Sequence, residues 1–238
     1  MSRTIVLVHG AFAESSSWDG VIDLVVARDH RVIAAANPLR GLASDAAAVS
    51  DLVRTIEGPV VLVAHSYGGA VISNVDAGAG EIAGLVYVNA FAPEPGENCF
   101  GLAAMFPGSM LGEQTARPVP RSDGTTDLYI ASDSFHDIFC QDVPAQQAGL
   151  LAATQRPATQ EALVEPSGER PLWKDVPSWF LIGEEDRIIP AELQRHMARR
   201  AGSQRTVAVE GASHAIVVSR PDAVVELILE AARLPAAA

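Results

Sequence analysis

The sequence predicts an α/β domain built on a mainly parallel sheet of six strands that is flanked by helices. Short runs rich in Val, Ile and Leu alternate with longer segments of helical period, which is typical of a parallel sheet covered on both faces. The 238 residues are 48% hydrophobic and 19% charged, which is enough to bury a sizeable core, and no Pro/Ser-rich linker divides them. We therefore expect a single domain over residues 1–238.

The elements follow one another regularly in both halves of the chain. The predicted strands are Thr4–Val8, Arg31–Ala36, Val60–Ala64, Gly84–Asn89, Ser178–Ile182 and Arg205–Val209. The predicted helices are Ser17–Arg28, Ser44–Ile56, Tyr67–Ala77, Ala191–Arg200 and Pro221–Arg233. In the last helix the apolar residues recur at helical spacing, which predicts one face packed on the sheet. The Ala-rich end at Pro235–Ala238 is expected to fray.

The alternation breaks between the fourth and fifth strands, where an insertion covers about residues 94–176. Short helices are predicted at Ser134–Cys140, Ala145–Thr154 and Thr159–Val164, and an irregular loop at Glu113–Thr126. A long insertion that is neither low in complexity nor highly charged usually folds, and such segments often shape ligand pockets. The insertion is therefore expected to form a helical cap.

Composition limits the partners and the compartment. The formal net charge of −12 disfavours nucleic acid and anionic membranes, and a neutral small molecule is the easier partner. No apolar run approaches the roughly 20 residues that span a bilayer, and the N-terminus lacks the pattern of a signal peptide. Cys99 and Cys140 are too few for a disulfide framework and are expected to be free thiols. These features predict a soluble cytoplasmic protein.

A serine stands where the third strand meets a helix. In a nucleophile elbow, a serine sits on a sharp, strained turn at the carboxyl end of a strand, with small residues two positions to either side. Gly68 supplies one of these, and Ala64 replaces the usual glycine on the other side. This context predicts Ser66 as a nucleophile, and the competing interpretation is a helix N-cap.

A serine hydroxyl needs a base within hydrogen-bond reach, and a carboxylate that orients the base. In this fold the chain order is serine, acid, histidine. His214 follows the final strand, at the sheet edge where the base is expected. The other histidines are interpreted as structural, surface or pocket-wall residues: His9, His30, His65, His136 and His196.

Three carboxylates follow the strand Ser178–Ile182 and compete for the role of the acid. Asp186 is favoured because it stands in the middle of the loop, shortly before the proline that opens the next helix. Glu184 and Glu185 are interpreted as solvated loop charges.

The tetrahedral intermediate of acyl transfer needs preorganised donors for its oxyanion. One is expected from the backbone N–H of Tyr67, directly after the nucleophile. The second should come from the turn after the first strand, where Gly10 permits an open backbone. Ala11 is the favoured donor there, and Phe12 is the alternative.

Candidates for the pocket wall come from the same turn and from the cap. They are Phe12, Phe135, His136 and Phe139. For the cap residues, packing of the cap onto the body is the competing interpretation.

No cofactor or metal site is predicted. The segment Gly78–Ala83 nominally matches a dinucleotide fingerprint, but it follows a helix and precedes a strand, which is the reverse of the context that binds a pyrophosphate. The histidines are too scattered to predict a metal site.

These segments together resemble the α/β-hydrolase superfamily across essentially the whole chain. The residues that carry a narrower resemblance are His9–Ala11 with Trp18, Ala90–Pro93, Glu185 and Asp186 with Pro190, and Gly211–His214. They are similar to the plant methylesterase and hydroxynitrile lyase group and its bacterial relatives. That group implies the α/β-hydrolase fold with six strands and a helical cap, small ester substrates and no cofactor.

The resemblance also separates two activities of the group. Its lyases typically carry a threonine beside the oxyanion turn and a lysine directly after the catalytic histidine. This chain has Gly10 and Ala215 at those positions, and both departures favour ester hydrolysis.

The sequence therefore predicts a serine carboxylesterase that acts through Ser66, His214 and Asp186. Hydrolysis of a lactone or a carbon–carbon bond by the same residues is an open alternative. A hydroxynitrile lyase and a non-catalytic ligand receptor on the same scaffold are weaker alternatives. Such a receptor often loses a triad residue, whereas this chain has all three. The acyl and alcohol groups and the oligomeric state are left open.

Overall fold

The computed structural model describes residues 3–233, so the predicted fraying of Pro235–Ala238 lies outside the described residues. The strands are β1 (Thr4–Val8), β2 (Arg31–Ala35), β3 (Val60–Ser66), β4 (Ile82–Ala90), β5 (Ala116–Pro120), β6 (Thr126–Ile130), β7 (Ala158–Thr159), β8 (Ser178–Gly183) and β9 (Arg205–Val209). The helices are α1 (Asp19–Val26), α2 (Leu42–Arg54), α3 (Tyr67–Ser73), α4 (Cys99–Ala103), α5 (Ser132–Phe139), α6 (Ala145–Thr154), α7 (Gln160–Val164), α8 (Ala191–Arg200), α9 (Ile216–Ser219) and α10 (Pro221–Ala231). Single 3₁₀ turns lie at Ser15–Trp18 and Leu172–Lys174.

The main sheet has six parallel strands in the order β2-β1-β3-β4-β8-β9. The prediction of a six-stranded parallel sheet flanked by helices is thus confirmed. Because the strands are parallel, the loops that follow β1, β3, β8 and β9 lie at one edge of the sheet. That edge carries the predicted nucleophile, acid and base.

Alternate residues of the strands pack against opposite layers. Along β1, Ile5 and Leu7 belong to the core shared with α1 and α10, whereas Val6 and Val8 belong to the core shared with the cap. All four side chains are fully buried. Each buried aliphatic side chain of this size contributes about 1.5–3 kcal/mol, so the sheet is stabilised from both faces.

Two predicted helices are markedly shorter in the structure, and a short helix beside the site was not predicted. Residues predicted as one helix over Ser17–Arg28 form a 3₁₀ turn followed by α1. The helix predicted over Tyr67–Ala77 ends at Ser73, where Asn74 donates its amide to the carbonyl of Ala70 and the chain leaves the helix axis. The short helix α9, which follows His214, was not predicted.

The segment between β4 and β8 contains a second sheet, which is antiparallel and has the strand order β5-β6-β7. The prediction of an irregular loop over Glu113–Thr126 is wrong, because β5 and β6 form a hairpin closed by a turn at Gly124. Pro118 and Pro120 lack a backbone N–H and argue against a central strand. They are tolerated here because β5 is at the edge of its sheet.

The cap lies over the carboxyl edge of the main sheet. Four backbone hydrogen bonds join loops of the body to the cap: Phe12 N–H to Arg156 at 2.9 Å, Ala215 N–H to Phe139 at 3.0 Å, Thr159 N–H to Leu39 at 3.0 Å and Met110 N–H to Arg187 at 2.7 Å.

Two of the expectations from composition concern membrane-spanning helices and the two cysteines. No helix in the described part of the chain is long and apolar enough to cross a membrane. Cys99 and Cys140 are buried free thiols, and burial raises the pKa of Cys140 to about 12. Both thiols are therefore protonated at neutral pH.

Candidate active site

The turn at Ser66 has the backbone of a strained elbow. Ser66 ends β3 with φ 57° and ψ −127°, and α3 begins at the next residue. Positive φ is uncommon for a residue with a side chain, and it persists only where the surroundings enforce it. A Cβ placed on Gly68 would lie 2.5 Å from the carbonyl oxygen of Val8, so the end of β1 packs directly against the turn. The elbow therefore requires glycine at position 68.

The Ser66 side chain lies beside the turn that follows β1. A Cβ placed on Gly10 would lie 3.1 Å from Ser66 Oγ. Ser66 is 4% exposed and borders a chamber of about 30 Å³. The chamber therefore offers a substrate atom a place beside this residue.

Asp186 is held by four hydrogen bonds. Its Oδ1 accepts from the backbone N–H groups of Ile188 and Ile189 at 2.8 and 2.9 Å. Its Oδ2 accepts from Gln194 Nε2 at 2.9 Å and from His214 Nδ1 at 2.8 Å. Four donors around a fully buried side chain fit an ionised carboxylate.

The competing carboxylates point elsewhere. Glu184 forms a salt bridge with Arg195, and Glu185 is exposed. Asp186 is therefore the carboxylate of this loop that meets His214.

The His214 ring is fully buried, with its two nitrogens in different situations. A hydrogen bond to a carboxylate places the proton on Nδ1 and leaves Nε2 as an acceptor in the neutral ring. Within residues 3–233, Nε2 has no hydrogen-bond partner, and none joins it to Ser66 Oγ. The ring of Phe139 contacts the imidazole edge to face, with centroids 5.0 Å apart.

His65 connects the elbow to the loop of His214. Its Nε2 donates to the backbone carbonyl of His214 at 2.8 Å, and the two rings lie 4.6 Å apart. Burial holds the pKa of His65 well below its usual value, and the neighbouring His214 lowers it further. His65 is therefore neutral at physiological pH and joins the backbone next to Ser66 to that of His214.

The two candidate oxyanion donors after β1 differ in their hydrogen bonds. The Phe12 N–H is occupied, since it donates to the carbonyl of Arg156. The Ala11 N–H makes no hydrogen bond to any residue that the structure describes. Tyr67 is the first residue of α3, so its N–H has no partner within the helix. Ala11 and Tyr67 both border the chamber at Ser66.

The predicted pocket-wall residues lie in different places. Phe12 borders the chamber at Ser66. Phe135 is fully buried and packs on Phe139, with ring centroids 4.8 Å apart. His136 donates through Nε2 to the carbonyl of Val143, 2.9 Å away. These three cap residues do not border that chamber, and Phe139 instead packs against His214.

A larger cavity of about 470 Å³ lies next to the chamber. Phe12, Phe100 and Leu111 border both spaces. The remaining wall comes from the hairpin and its surroundings, and only Glu113 carries a charge: Gly112, Glu113, Ala116, Pro118, Leu128 and Gln160. We call this larger cavity the vestibule.

A partly buried chain of hydrogen bonds runs from the elbow into the cap. The Tyr67 hydroxyl donates to Asp45 Oδ2 at 2.8 Å, and the Arg40 backbone N–H donates to both carboxylate oxygens of Asp45. The Arg40 guanidinium in turn donates to Asp127 on β6 at 2.5 Å. Burial raises the pKa of Asp45, although the hydrogen bonds from Arg40 and Tyr67 oppose this. We call this chain the elbow–cap link.

Sequence reasoning missed several residues around the site. Gln194 on α8 and Asn89 at the end of β4 hydrogen bond to the acid and base loops, and Asp45 holds Tyr67. A polar residue at the carboxyl end of a central strand was the one available signal, and it applied to Asn89.

Comparisons with known proteins identify the family to which the chain is similar. The model of the alpha/beta hydrolase family matches residues 5–227. A pyrethroid hydrolase of Sphingobium wenxiniae is 27% identical over 98% of this chain and 88% of its own length. A putative chloroplastic methylesterase of Arabidopsis thaliana is 24% identical over 96% of this chain and 64% of its own length. Both relatives are named as hydrolases or esterases.

The fold agrees with solved structures as well. The crystal structure of a pyrethroid hydrolase from Sphingobium faniae superimposes with a TM-score of 0.78 at 23% identity, and 99% of each chain is covered. At this identity the likeness concerns the fold alone.

Proposed function

The chain belongs to the alpha/beta hydrolase family, and from that premise we propose that it is a serine hydrolase that cleaves a small neutral carboxylic ester. The observation that carries the proposal is the fully buried pair of Asp186 and His214, in which His214 Nε2 has no hydrogen-bond partner among the described residues. The backbone of His214 is also bound by His65, the residue before Ser66. A buried, oriented imidazole with one unpartnered nitrogen is what a serine nucleophile needs as a base.

In the first step, Ser66 Oγ attacks the ester carbonyl while His214 Nε2 takes the hydroxyl proton. The carboxylate of Asp186 stabilises the imidazolium that results. The tetrahedral intermediate then collapses, and His214 returns the proton to the departing alcohol. In the second step, water gives a proton to His214 and attacks the acyl-enzyme, which releases the acid and restores the Ser66 hydroxyl.

The oxyanion is assigned to the backbone N–H groups of Ala11 and Tyr67. Both border the chamber that Ser66 faces, and Phe12 is unsuited because its N–H already donates to Arg156. Loss of one such donor costs about 2.7–4 kcal/mol of transition-state stabilisation.

The first step also requires a small movement. Ser66 Oγ lies on the side of Gly10 and makes no hydrogen bond to His214 within the described residues. Rotation about the Cα–Cβ bond of Ser66 turns the hydroxyl away from Gly10. Catalytic hydrogen bonds are often long without substrate and tighten when it binds.

The cavities favour a neutral substrate with an apolar part. The chamber of about 30 Å³ accommodates the reacting group, and the vestibule of about 470 Å³ accommodates the larger substituent. The vestibule wall is mostly apolar, and its single charged residue, Glu113, together with the net charge of −12, repels anions.

Replacement of the nucleophile tests the proposal. Ser66→Ala should lower kcat for a p-nitrophenyl ester by about 10⁶-fold, the loss typical of a missing triad serine. Ser109→Ala is the matched control, because Ser109 borders the same chamber and has no assigned role. A fluorophosphonate should label Ser66, as located by peptide mass spectrometry. Full turnover by Ser66→Ala would contradict the proposal.

The bond that is cleaved needs a separate test. Lactones and β-diketones, offered beside esters of matched size, distinguish ester hydrolysis from the alternatives that use the same residues. A higher kcat/KM for esters is expected, whereas a clear preference for either other class would replace the ester assignment.

A further inference from the structure

We propose that Asn89 is a positioning residue that holds the acid loop and the base loop in register. Asn89 is the last residue but one of β4, which lies between β3 with Ser66 and β8 with the acid loop, and its side chain is fully buried. This inference rests on the proposed function, because Asn89 acts through Asp186 and His214.

The amide oxygen of Asn89 binds the strand that leads to the acid. Asn89 Oδ1 accepts from the backbone N–H of Gly183 at 2.6 Å, and Gly183 ends β8 three residues before Asp186. The space is closed on the other side, since a Cβ on Gly183 would lie 2.7 Å from the carbonyl oxygen of Ala212. The start of the acid loop is thus fixed between Asn89 and the base loop.

The amide nitrogen of Asn89 binds the loop that carries the base. Nδ2 donates to the carbonyl of Ser213 at 2.8 Å and to that of His214 at 3.2 Å. The His214 carbonyl also accepts from His65 at 2.8 Å, so two donors fix the peptide at the base. One side chain therefore joins both partners of the Asp186–His214 contact.

The backbone of Asn89 supports a specific role. Its φ is +44°, a value that few residues other than glycine adopt and that asparagine tolerates better than most. Only a short side chain with both a donor and an acceptor makes these three hydrogen bonds from that conformation. A longer or apolar residue would keep the strained turn without the bonds.

Asn89→Asp separates this role from simple support of the fold. The introduced carboxylate can still accept from the Gly183 N–H. Its second oxygen replaces the amide nitrogen and cannot donate to the carbonyls of Ser213 and His214. We expect kcat per titrated active site to fall about 10–100-fold at pH 8, with KM unchanged. A small misplacement of the reacting groups has an effect of this size.

The pH profile gives a second, specific readout. The introduced carboxyl would lie beside the His214 carbonyl, which also accepts from the His65 ring. Protonation of the introduced carboxyl restores one O–H donor towards the base loop, so the ratio of variant to wild-type kcat should rise as the pH falls. The wild type and Asn89→Gly have no carboxyl at this position, and the ratio of their kcat values should not change in this way.

Two further variants make the test decisive. Asn74→Asp is the matched control, because Asn74 also uses its side chain in structural hydrogen bonds, at Ala70, Ser167 and Gly168, away from the site. It should keep the wild-type kcat and pH profile whatever its melting temperature. Asn89→Gly accepts positive φ freely and removes the side chain, so it should fold and lose activity at every pH.

The outcomes distinguish the two proposals. If fluorophosphonate labels Ser66 in the wild type but Asn89→Asp and Asn89→Gly keep the kcat and pH profile of Asn74→Asp, the positioning role is overturned. If the wild type neither turns over esters nor labels at Ser66, the proposed function fails first.

Discussion

At the scale of single residues, Asp186 is the most constrained group of the site. Its four hydrogen bonds use both carboxylate oxygens, and two of the donors are backbone N–H groups of its own loop. The carboxylate therefore remains in place whether or not His214 is protonated.

Asp186→Asn should preserve the shape of the site and remove its function. The amide nitrogen would face the His214 ring and favour the tautomer with the proton on Nε2, which can no longer act as a base. We expect kcat for an aryl ester to fall by about 10⁴-fold, with a native circular dichroism spectrum. The exposed Glu185→Gln is the control and should retain full activity. A loss of less than tenfold in Asp186→Asn would argue against its role.

The sequence predicted the residues that make the Asp186–His214 contact, because their chain order and their loops at one sheet edge are local signals. Asn89 could not be predicted in this way. Its partners lie 94, 124 and 125 residues away, and its value depends on a positive φ that no local pattern announces. The sequence also could not show which backbone N–H after β1 lacks a partner. Phe12 therefore remained an alternative to Ala11 until the hydrogen bond from Phe12 to Arg156 was known.

At the scale of elements, the six central strands were predictable because burial on both faces gives continuous apolar runs. The β5–β6 hairpin was missed because β5 carries two prolines and mostly exposed residues, so the usual strand signals are absent. Its pairing comes instead from the turn and from β6, whose Leu128 and Ile130 are buried in the cap.

Replacement of either of two cap glycines, Gly124 or Gly149, by alanine tests the local backbone conformation. A Cβ on Gly124 or on Gly149 would meet nothing within 4 Å, so contacts do not decide the effect. Gly124 has φ +87° in the hairpin turn, and alanine there should lower the free energy of unfolding by about 1 kcal/mol. Gly149 lies inside α6, where alanine should raise it by about 0.5–1 kcal/mol.

Denaturant unfolding of the two variants beside the wild type measures both changes. Opposite signs are expected. Equal signs would mean that the backbone of one of these segments differs from the one described.

At the scale of the whole molecule, the fold followed from hydrophobic alternation, but the substrate cavity did not. The vestibule wall combines the turn after β1, α4, the hairpin and the start of α7, which are far apart in the chain. Its size depends on how the cap rests on the body, and that packing is a property of the assembled chain.

The stability of the molecule should fall in mild acid because of His65. Burial holds its folded pKa well below the unfolded value of about 6.5. Below about pH 6.5 the unfolded chain therefore binds more protons at this residue, and the free energy of unfolding decreases as the pH falls. Above that pH both states are neutral at this residue and its contribution is complete.

Thermal unfolding between pH 5 and pH 8 checks this expectation. His65→Gln removes the titrating group, so its melting temperature should depend less steeply on pH than that of the wild type across this window. Parallel curves would show that His65 is not the source of the acid sensitivity.

The elbow–cap link has a consequence for how the molecule opens. Because Arg40 binds Asp45 in the body and Asp127 on β6 in the cap, β6 cannot detach without breaking charged hydrogen bonds beneath Tyr67. Backbone amides of β6 should therefore exchange with deuterium only through the same cooperative opening that exposes β3, whereas those at the free edge of β5 should exchange by local fluctuations. Substrate would then enter through motion of the hairpin edge, while the backbone amides of β6 remain protected from exchange.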